Sequence, residues 1–293
     1  MLFRSFQFDL IDSHYFFPDG VAAAKIAAKL GKPFLITARG SDINLIANVP
    51  RARRLIAEAA RRAARVITVS AALREAMIDL GISPEHISVL RNGVDLSLFH
   101  PISRSEARRD LGLPAEGTFI ASVGNLVPEK GHELFIAAAK LLPDVEAVVV
   151  GEGPLRYTLQ QLIAQLSLQG RVKLFGAMPQ VRLRNVYAAC DAVVLASSRE
   201  GWPNVLTEAM ACGTPVVASR VGGVPEIVSD PRFGRLVEER TPAAFAQAIS
   251  ELLRARPDRE SVRAFAERYS WDATTAGQLE VFRGAIRNHR AAP

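Results

Sequence analysis

Glu200 and Glu208 stand eight positions apart in the run Ser198-Arg199-Glu200-Gly201-Trp202-Pro203-Asn204-Val205-Leu206-Thr207-Glu208. A carboxylate can accept two hydrogen bonds from neighbouring hydroxyls, the pattern of a vicinal diol in a ribose or a hexose. Pro203 and Asn204 are helix-start signals, which places the first acid in a loop and the second in the opening turns of a helix. The open amides of such a start, around Asn204 to Leu206, can receive a phosphate. One loop–helix unit can therefore hold sugar, ribose and phosphate. The plainer alternative is a capped helix whose acids only favour its dipole.

A second cluster is Val123-Gly124-Asn125-Leu126-Val127-Pro128-Glu129-Lys130-Gly131-His132. It reads as a strand end, a glycine turn and a lysine at a helix start. Lysine there is a point charge suited to a diphosphate, with charge-assisted bonds of about 1.5–3 kcal/mol each. An exposed lysine in an ordinary turn is the competing reading, and His132 at the helix start reads as structural. Gly151-Glu152-Gly153-Pro154-Leu155-Arg156 lacks the third glycine of a dinucleotide fingerprint, so a dinucleotide cofactor is rejected. Gly153 suits either close approach of a base or phosphate or a tight strand–helix turn. Nearer the start, Asp9-Leu10-Ile11-Asp12-Ser13-His14-Tyr15 ends a strand at His14, and Arg39 follows Thr37-Ala38. A lone histidine after a strand is more often a hydrogen-bonded structural residue than a catalytic one.

These residues need strands and helices to hold them. Candidate strands are Phe6–Ile11, Pro33–Thr37, Arg65–Ser70, Ile87–Leu90, Thr118–Val123, Glu146–Val150, Val172–Phe175, Ala192–Ala196 and Pro215–Ala218. Continuous apolar runs such as Ala147-Val148-Val149-Val150 indicate burial on both faces, hence a parallel sheet covered by helices. Helical patterns alternate with them, as in Gly20–Leu30, Pro50–Ala64, Ala71–Leu80, Glu133–Leu141 and Leu155–Leu166. The fold class is α/β, with doubly wound domains. A break near 96–116 gives a first domain over 1–100 and a second over 101–270, with a terminal helix in 271–293 free to pack on either.

The chain has 293 residues, 49 % of them apolar and 23 % charged, a globular composition that excludes disorder. No apolar run reaches the roughly 20 residues of a membrane helix, and no secretory h-region follows the first residues. Cys190 and Cys212 lie in apolar runs, read as buried thiols of a reducing, cytoplasmic compartment. A net charge of +6 suits anionic partners. Part of it lies in Arg51, Arg53, Arg54, Arg61, Arg62 and Arg65, a solvated helix face or a peripheral contact with anionic lipid on the inner membrane face. No aromatics are interleaved with these arginines, so nucleic acid is not expected as a partner.

Taken together, Glu200-x7-Glu208 with Glu-Ala-Met-Ala-Cys-Gly-Thr-Pro-Val-Val, Val123-Gly124…Lys130-Gly131, Gly151-Glu152-Gly153-Pro154 and Asn92-Gly93-Val94-Asp95…Phe99 resemble the family 4 retaining glycosyltransferases. The wording around Glu200 is most similar to enzymes of exopolysaccharide, teichuronic-acid-type or lipopolysaccharide synthesis. The resemblance implies the GT-B fold, two facing Rossmann-like domains, and transfer of a sugar from a nucleoside-diphosphate donor to a glycan or lipid-linked acceptor. It implies that Glu200 binds donor-sugar hydroxyls and Glu208 the ribose. Lys130 would meet the leaving diphosphate with amides near Asn204 and Val205, and Gly124, Asn125 and Gly153 would line the donor. In relatives an arginine usually follows the glycine at position 124; here Asn125 stands there, and Arg39 is a candidate for replacing that charge. His14 looks like the family's cleft histidine. No Asp-x-Asp is present, so the implied reaction needs neither metal nor other cofactor.

Two other functions fit the same residues: a nucleotide-sugar 2-epimerase, and a non-catalytic nucleotide-sugar-binding fragment. The first domain opens in a strand without the glycine-rich first turn, so its start is expected to be missing, by about 80–100 residues on domain size.

Overall fold

The computed structural model describes residues 6–291, and the chain forms two compact units. The first comprises residues up to Gly93, the stretch Glu200–Trp202 and the residues from Trp271 onward; the second comprises Val94–Arg199 and Pro203–Ser270. The divide falls ahead of the 96–116 stretch. Val94 already bridges to Ser270, and its amide donates to Tyr269 O at 2.7 Å. The C-terminal helix Trp271–Ala291 joins the first unit, where the Thr274 hydroxyl donates to Arg91 O at 2.6 Å.

The first unit runs β1 (Ile11–His14), α1 (Val21–Leu30), β2 (Phe34–Ala38), α2 (Ser41–Asn44), α3 (Pro50–Arg62), β3 (Arg65–Thr68), α4 (Ala71–Asp79) and β4 (Ile87–Val89). Its sheet is parallel in the order β1-β2-β3-β4, with His14 beside Thr37 and Ala38 beside Thr68. β1 begins at Ile11, not at Phe6 as the sequence suggests. The ladder opens with the Ile11 amide on Pro33 O, and Pro33 has no N–H to extend it backward. α3 turns Ala52, Ile56, Ala59 and Ala60 inward and leaves Arg51, Arg54, Arg61 and Arg62 outside.

The second unit continues with α5 (Arg104–Asp110), β5 (Thr118–Val123), α6 (His132–Lys140), β6 (Val145–Val150), α7 (Arg156–Gln165), β7 (Val172–Phe175), α8 (Gln180–Ala189), β8 (Ala192–Leu195), α9 (Asn204–Ala211), β9 (Val216–Ser219), α10 (Val224–Ile227), β10 (Gly234–Val237), α11 (Pro242–Ala255) and α12 (Arg259–Ala266). Its sheet is parallel in the order β10-β9-β8-β5-β6-β7. Ile120, Val149 and Val194 from the strands pack with Phe135, Leu159 and Phe245 from the helices in one buried core. Winding reverses at β5, which pairs with β6 on one side and β8 on the other. The carboxyl ends of β5 and β8 therefore flank the switch point where open α/β sheets bind ligands. The architecture is two parallel-sheet, Rossmann-like units.

Candidate active site

In the second unit the loops leaving β5 and β8 are laced together. The Ser198 amide donates to Glu129 O at 2.8 Å, and the Arg199 guanidinium pairs with the Glu129 carboxylate at 2.5 Å. Arg240 reaches across to Ala196 O at 2.9 Å. Lys130 closes a short 3₁₀ turn, Pro128–Lys130, and Gly131 follows with φ 66° as the N-cap of α6. A Cβ at Gly131 would strike the Ala196 carbonyl, so only glycine lets the loops close. The Lys130 methylenes lie over Gly124, 3.7–3.8 Å from where a Cβ there would stand.

The loop after β6 joins the same platform. Leu126 N–H donates to Glu152 O at 2.8 Å, and Leu155 N–H to Leu126 O at 3.0 Å. Gly153, at φ 156°, would carry a Cβ 2.6 Å from Leu126 O. Gly153 thus serves backbone packing, and α7 begins at Arg156, two residues after Pro154. Asn125 is exposed, and its carbonyl accepts from His132 Nε2 at 3.2 Å. That leaves His132 Nδ1 to accept from the Ser122 hydroxyl at 3.0 Å, and burial holds this imidazole below its ordinary pKa. His132 is a neutral strut.

α9 starts at Asn204 with no side-chain cap. The sequence offered amides from Asn204 to Leu206 to a phosphate, but the Leu206 amide already donates to Pro203 O at 3.1 Å. That amide is therefore spent within the helix. Glu208 sits one turn on, and its Oε2 accepts from the Tyr187 hydroxyl at 2.7 Å. Tyr187 is wholly buried. Burial pushes the Glu208 carboxyl above its ordinary value, and the Tyr187 bond pulls it partly back.

In the first unit, His14 ends β1 with its ring between two partners. Nε2 lies 3.1 Å from Asp12 Oδ2, and Nδ1 lies 2.6 Å from an Arg39 nitrogen. Arg39 also donates to Asn92 Oδ1 at 2.9 Å. The loop after β2 folds around Asp42, whose carboxylate accepts from the amides of Gly40 (2.8 Å), Phe16 (2.9 Å) and Arg39 (3.1 Å). Burial raises the Asp42 pKa against those amides. Glu200 and Gly201 pack here too: a Cβ on Gly201 would strike Arg39 O, and Asn44 Nδ2 donates to Glu200 O at 3.4 Å.

Of the residues singled out in the sequence, Gly124, Asn125, Lys130, Gly153, Asn204, Val205 and Glu208 belong to the second unit; His14, Arg39 and Glu200 belong to the first. The sequence reading missed Tyr187, Asp12, Asn92 and Asp42. Asp42 carried a local signal, an Asp two residues after a glycine at a strand end, and Asn92 stood in the motif Asn92-Gly93-Val94-Asp95 with no role of its own. Among the described residues no group of three or more His, Cys, Asp or Glu could hold a metal ion.

The comparisons with known proteins agree with this architecture. Residues 103–269 match the family described as glycosyl transferases group 1, and residues 1–98 match glycosyltransferase family 4. The chain belongs to this glycosyltransferase family, with the GT-B fold, and is an enzyme of glycosyltransferase type. It is 36 % identical over 310 residues to the D-inositol 3-phosphate glycosyltransferase of Acidothermus cellulolyticus, covering 97 % of this chain and 69 % of that protein. The protein of the same name from Segniliparus rotundus is 32 % identical over 99 % of this chain and 69 % of its own length. Among solved structures, sucrose-phosphate synthase from Thermosynechococcus elongatus superimposes with TM-score 0.86 at 26 % identity, covering 96 % of this chain and 74 % of that one. HepE of Anabaena, solved in complex with UDP-glucose, gives 0.81 at 27 % identity, covering 94 % and 78 %. No helix among the described residues is long and apolar enough to cross a membrane.

Proposed function

We propose that this enzyme transfers a sugar from a nucleoside-diphosphate donor, with retained anomeric configuration, to a glycan or lipid-linked hydroxyl in polysaccharide synthesis. The observation that carries the donor assignment is Glu208, a part-buried carboxylate held by Tyr187 on the helix that follows β8 at the switch point. Glu208 takes the ribose diol. Lys130, laid over Gly124, and the uncapped start of α9 meet the negative charge that builds on the diphosphate as the glycosidic bond breaks. This does the work that other transferases give to a divalent metal, so the reaction needs none. Glu200 takes donor-sugar hydroxyls, and His14 meets the transferred sugar. No carboxylate is assigned as a covalent nucleophile; the acceptor hydroxyl attacks on the face the leaving phosphate vacates and passes its proton to that phosphate's freed oxygen as the sugar–phosphate bond breaks, which retains configuration.

Family membership favours transfer over 2-epimerisation and over binding without catalysis. Because HepE is solved with UDP-glucose, uridine donors are tried first. Because the curated relatives are named for D-inositol 3-phosphate, that polyol phosphate is the second acceptor reading. The test is a panel of nucleoside-diphosphate sugars, scored for nucleoside-diphosphate release with glycan, lipid-linked and inositol-phosphate acceptors, with and without chelator. Release that depends on acceptor and survives chelation is expected. An epimer formed without acceptor would replace this reading, and Lys130→Ala turning over at the parent rate would remove the assigned role of Lys130.

The enzyme also works at a membrane face in this reading, in the reducing cytoplasm. Support comes from the outer side of α3, where Arg51, Arg54 and Arg61 are exposed, and from Val49 just before it, 56 % exposed. Co-sedimentation with vesicles containing anionic lipid, lost at high salt, is the expected outcome.

A further inference from the structure

We infer that His14 is fixed as a neutral imidazole protonated on Nε2, held by Arg39 and Asp12, and that it serves substrate as a neutral hydrogen-bond donor and not as an acid or base. The second half of this rests on the proposed role of His14 at the transferred sugar.

A guanidinium can only donate. The Arg39 nitrogen 2.6 Å from His14 Nδ1 therefore makes Nδ1 the lone-pair nitrogen, and the ring proton stands on Nε2, 3.1 Å from Asp12 Oδ2. Both partners are anchored in turn. Arg39 is tied to Asn92 at 2.9 Å, and its backbone is held by Asp42. Asp12 Oδ2 also accepts from Gln278 of the C-terminal helix at 3.3 Å, while its Oδ1 is buried without a partner. A cavity of about 40 Å³ lies against this network, and Thr37, whose buried hydroxyl has no partner, lines it together with His14, Arg39 and Gln278. With Nδ1 accepting from Arg39, the ring has one proton to offer, on Nε2. Substrate can only compete with Asp12 for the Nε2 proton. Arg39, Asp12 and Gln278 are thus positioning residues, and the C-terminal helix takes part in setting the site.

Two measurements on the whole chain test this. In ¹⁵N-imidazole NMR, with His14 assigned by the signal lost in His14→Gln, Nδ1 should be unprotonated and shifted upfield by its bond. Arg39→Met should move that resonance downfield, and Arg39→Lys, which keeps a donor, should move it less. A protonated Nδ1, or one unmoved in Arg39→Met, overturns the fixation. In transfer assays, His14→Gln keeps a neutral N–H and should stay within roughly tenfold of the parent kcat, with His14→Ala lower by roughly a hundredfold. Gln as inactive as Ala overturns the neutral-donor role. If His14→Ala turns over at the parent rate, the placement of His14 at the sugar fails while the NMR result stands.

Discussion

The role proposed for Glu208 needs a carboxylate, and burial makes that charge costly. Removing its charge in Glu208→Gln should weaken donor binding by about 1–3 kcal/mol in calorimetry, with less effect on turnover at saturating donor. Its pH behaviour follows from the direction of its shift. Burial raises the carboxyl above the ordinary glutamate value of 4.5, so protonation begins at a higher pH than for an exposed glutamate. Donor affinity should therefore fall as pH drops through that raised value. Tyr187→Phe removes the one bond that lowers it, so the same loss should appear at higher pH than in the parent protein. For stability the sign is opposite: the folded state holds this proton more tightly than the unfolded chain. Glu208 thus costs stability as pH rises from 4.5 through its raised value, and the cost is constant above it. A donor-affinity profile identical in parent and Tyr187→Phe would contradict this coupling.

At the scale of elements, two loops decide whether the side chains are presented at all. Gly131 is left-handed and its missing Cβ makes room for the Ala196 carbonyl. Gly131→Ala should lower stability by about 1–2 kcal/mol from backbone conformation alone, with the clash added. It should also lower turnover, because Lys130 is the adjacent residue. Urea midpoints and single-turnover rates would read these separately. The loop after β2 depends on Asp42, which satisfies three backbone amides at once. Asp42→Ala leaves those donors without their acceptor and should cost about 1–3 kcal/mol. A thermal midpoint equal to the parent's would show that the loop is held by something else.

Across the whole molecule, titration and thiol chemistry report the state of the second core. Cys190 and Cys212 are both buried, and burial pushes each thiol up to about 12. Neither should react with an alkylating reagent at neutral pH until the second unit unfolds, which makes labelling rate a probe of its opening. His132 works in the acid direction. Its buried imidazole is held below 6.5, so the unfolded chain takes up a proton the folded one refuses. Stability from His132 is complete above 6.5 and is lost as pH falls from there toward its depressed value. A flat unfolding free energy across that range in the parent, or the same slope in His132→Gln, would count against it.

The sequence by itself determined the α/β alternation, because parallel strands buried on both faces leave unbroken apolar runs. Thr118–Val123 and Val172–Phe175 were legible to the residue. β10 was not, since Gly234-Arg235-Leu236-Val237 opens on a glycine and an arginine and keeps only two apolar residues. The helix start that carries Glu208 and the Lys130-Gly131 pair were legible too, because a helix start after a strand is a local pattern, whereas Glu200 falls with the first unit. Only the tertiary structure decided what holds those groups. Tyr187 meets Glu208 from 21 positions away, and Arg39 meets His14 from 25. It also decided that Gly153 packs against backbone and that the last helix belongs with the first unit. Burial of apolar faces is written in the period of a sequence, whereas such pairings depend on which segments the winding of a sheet sets side by side.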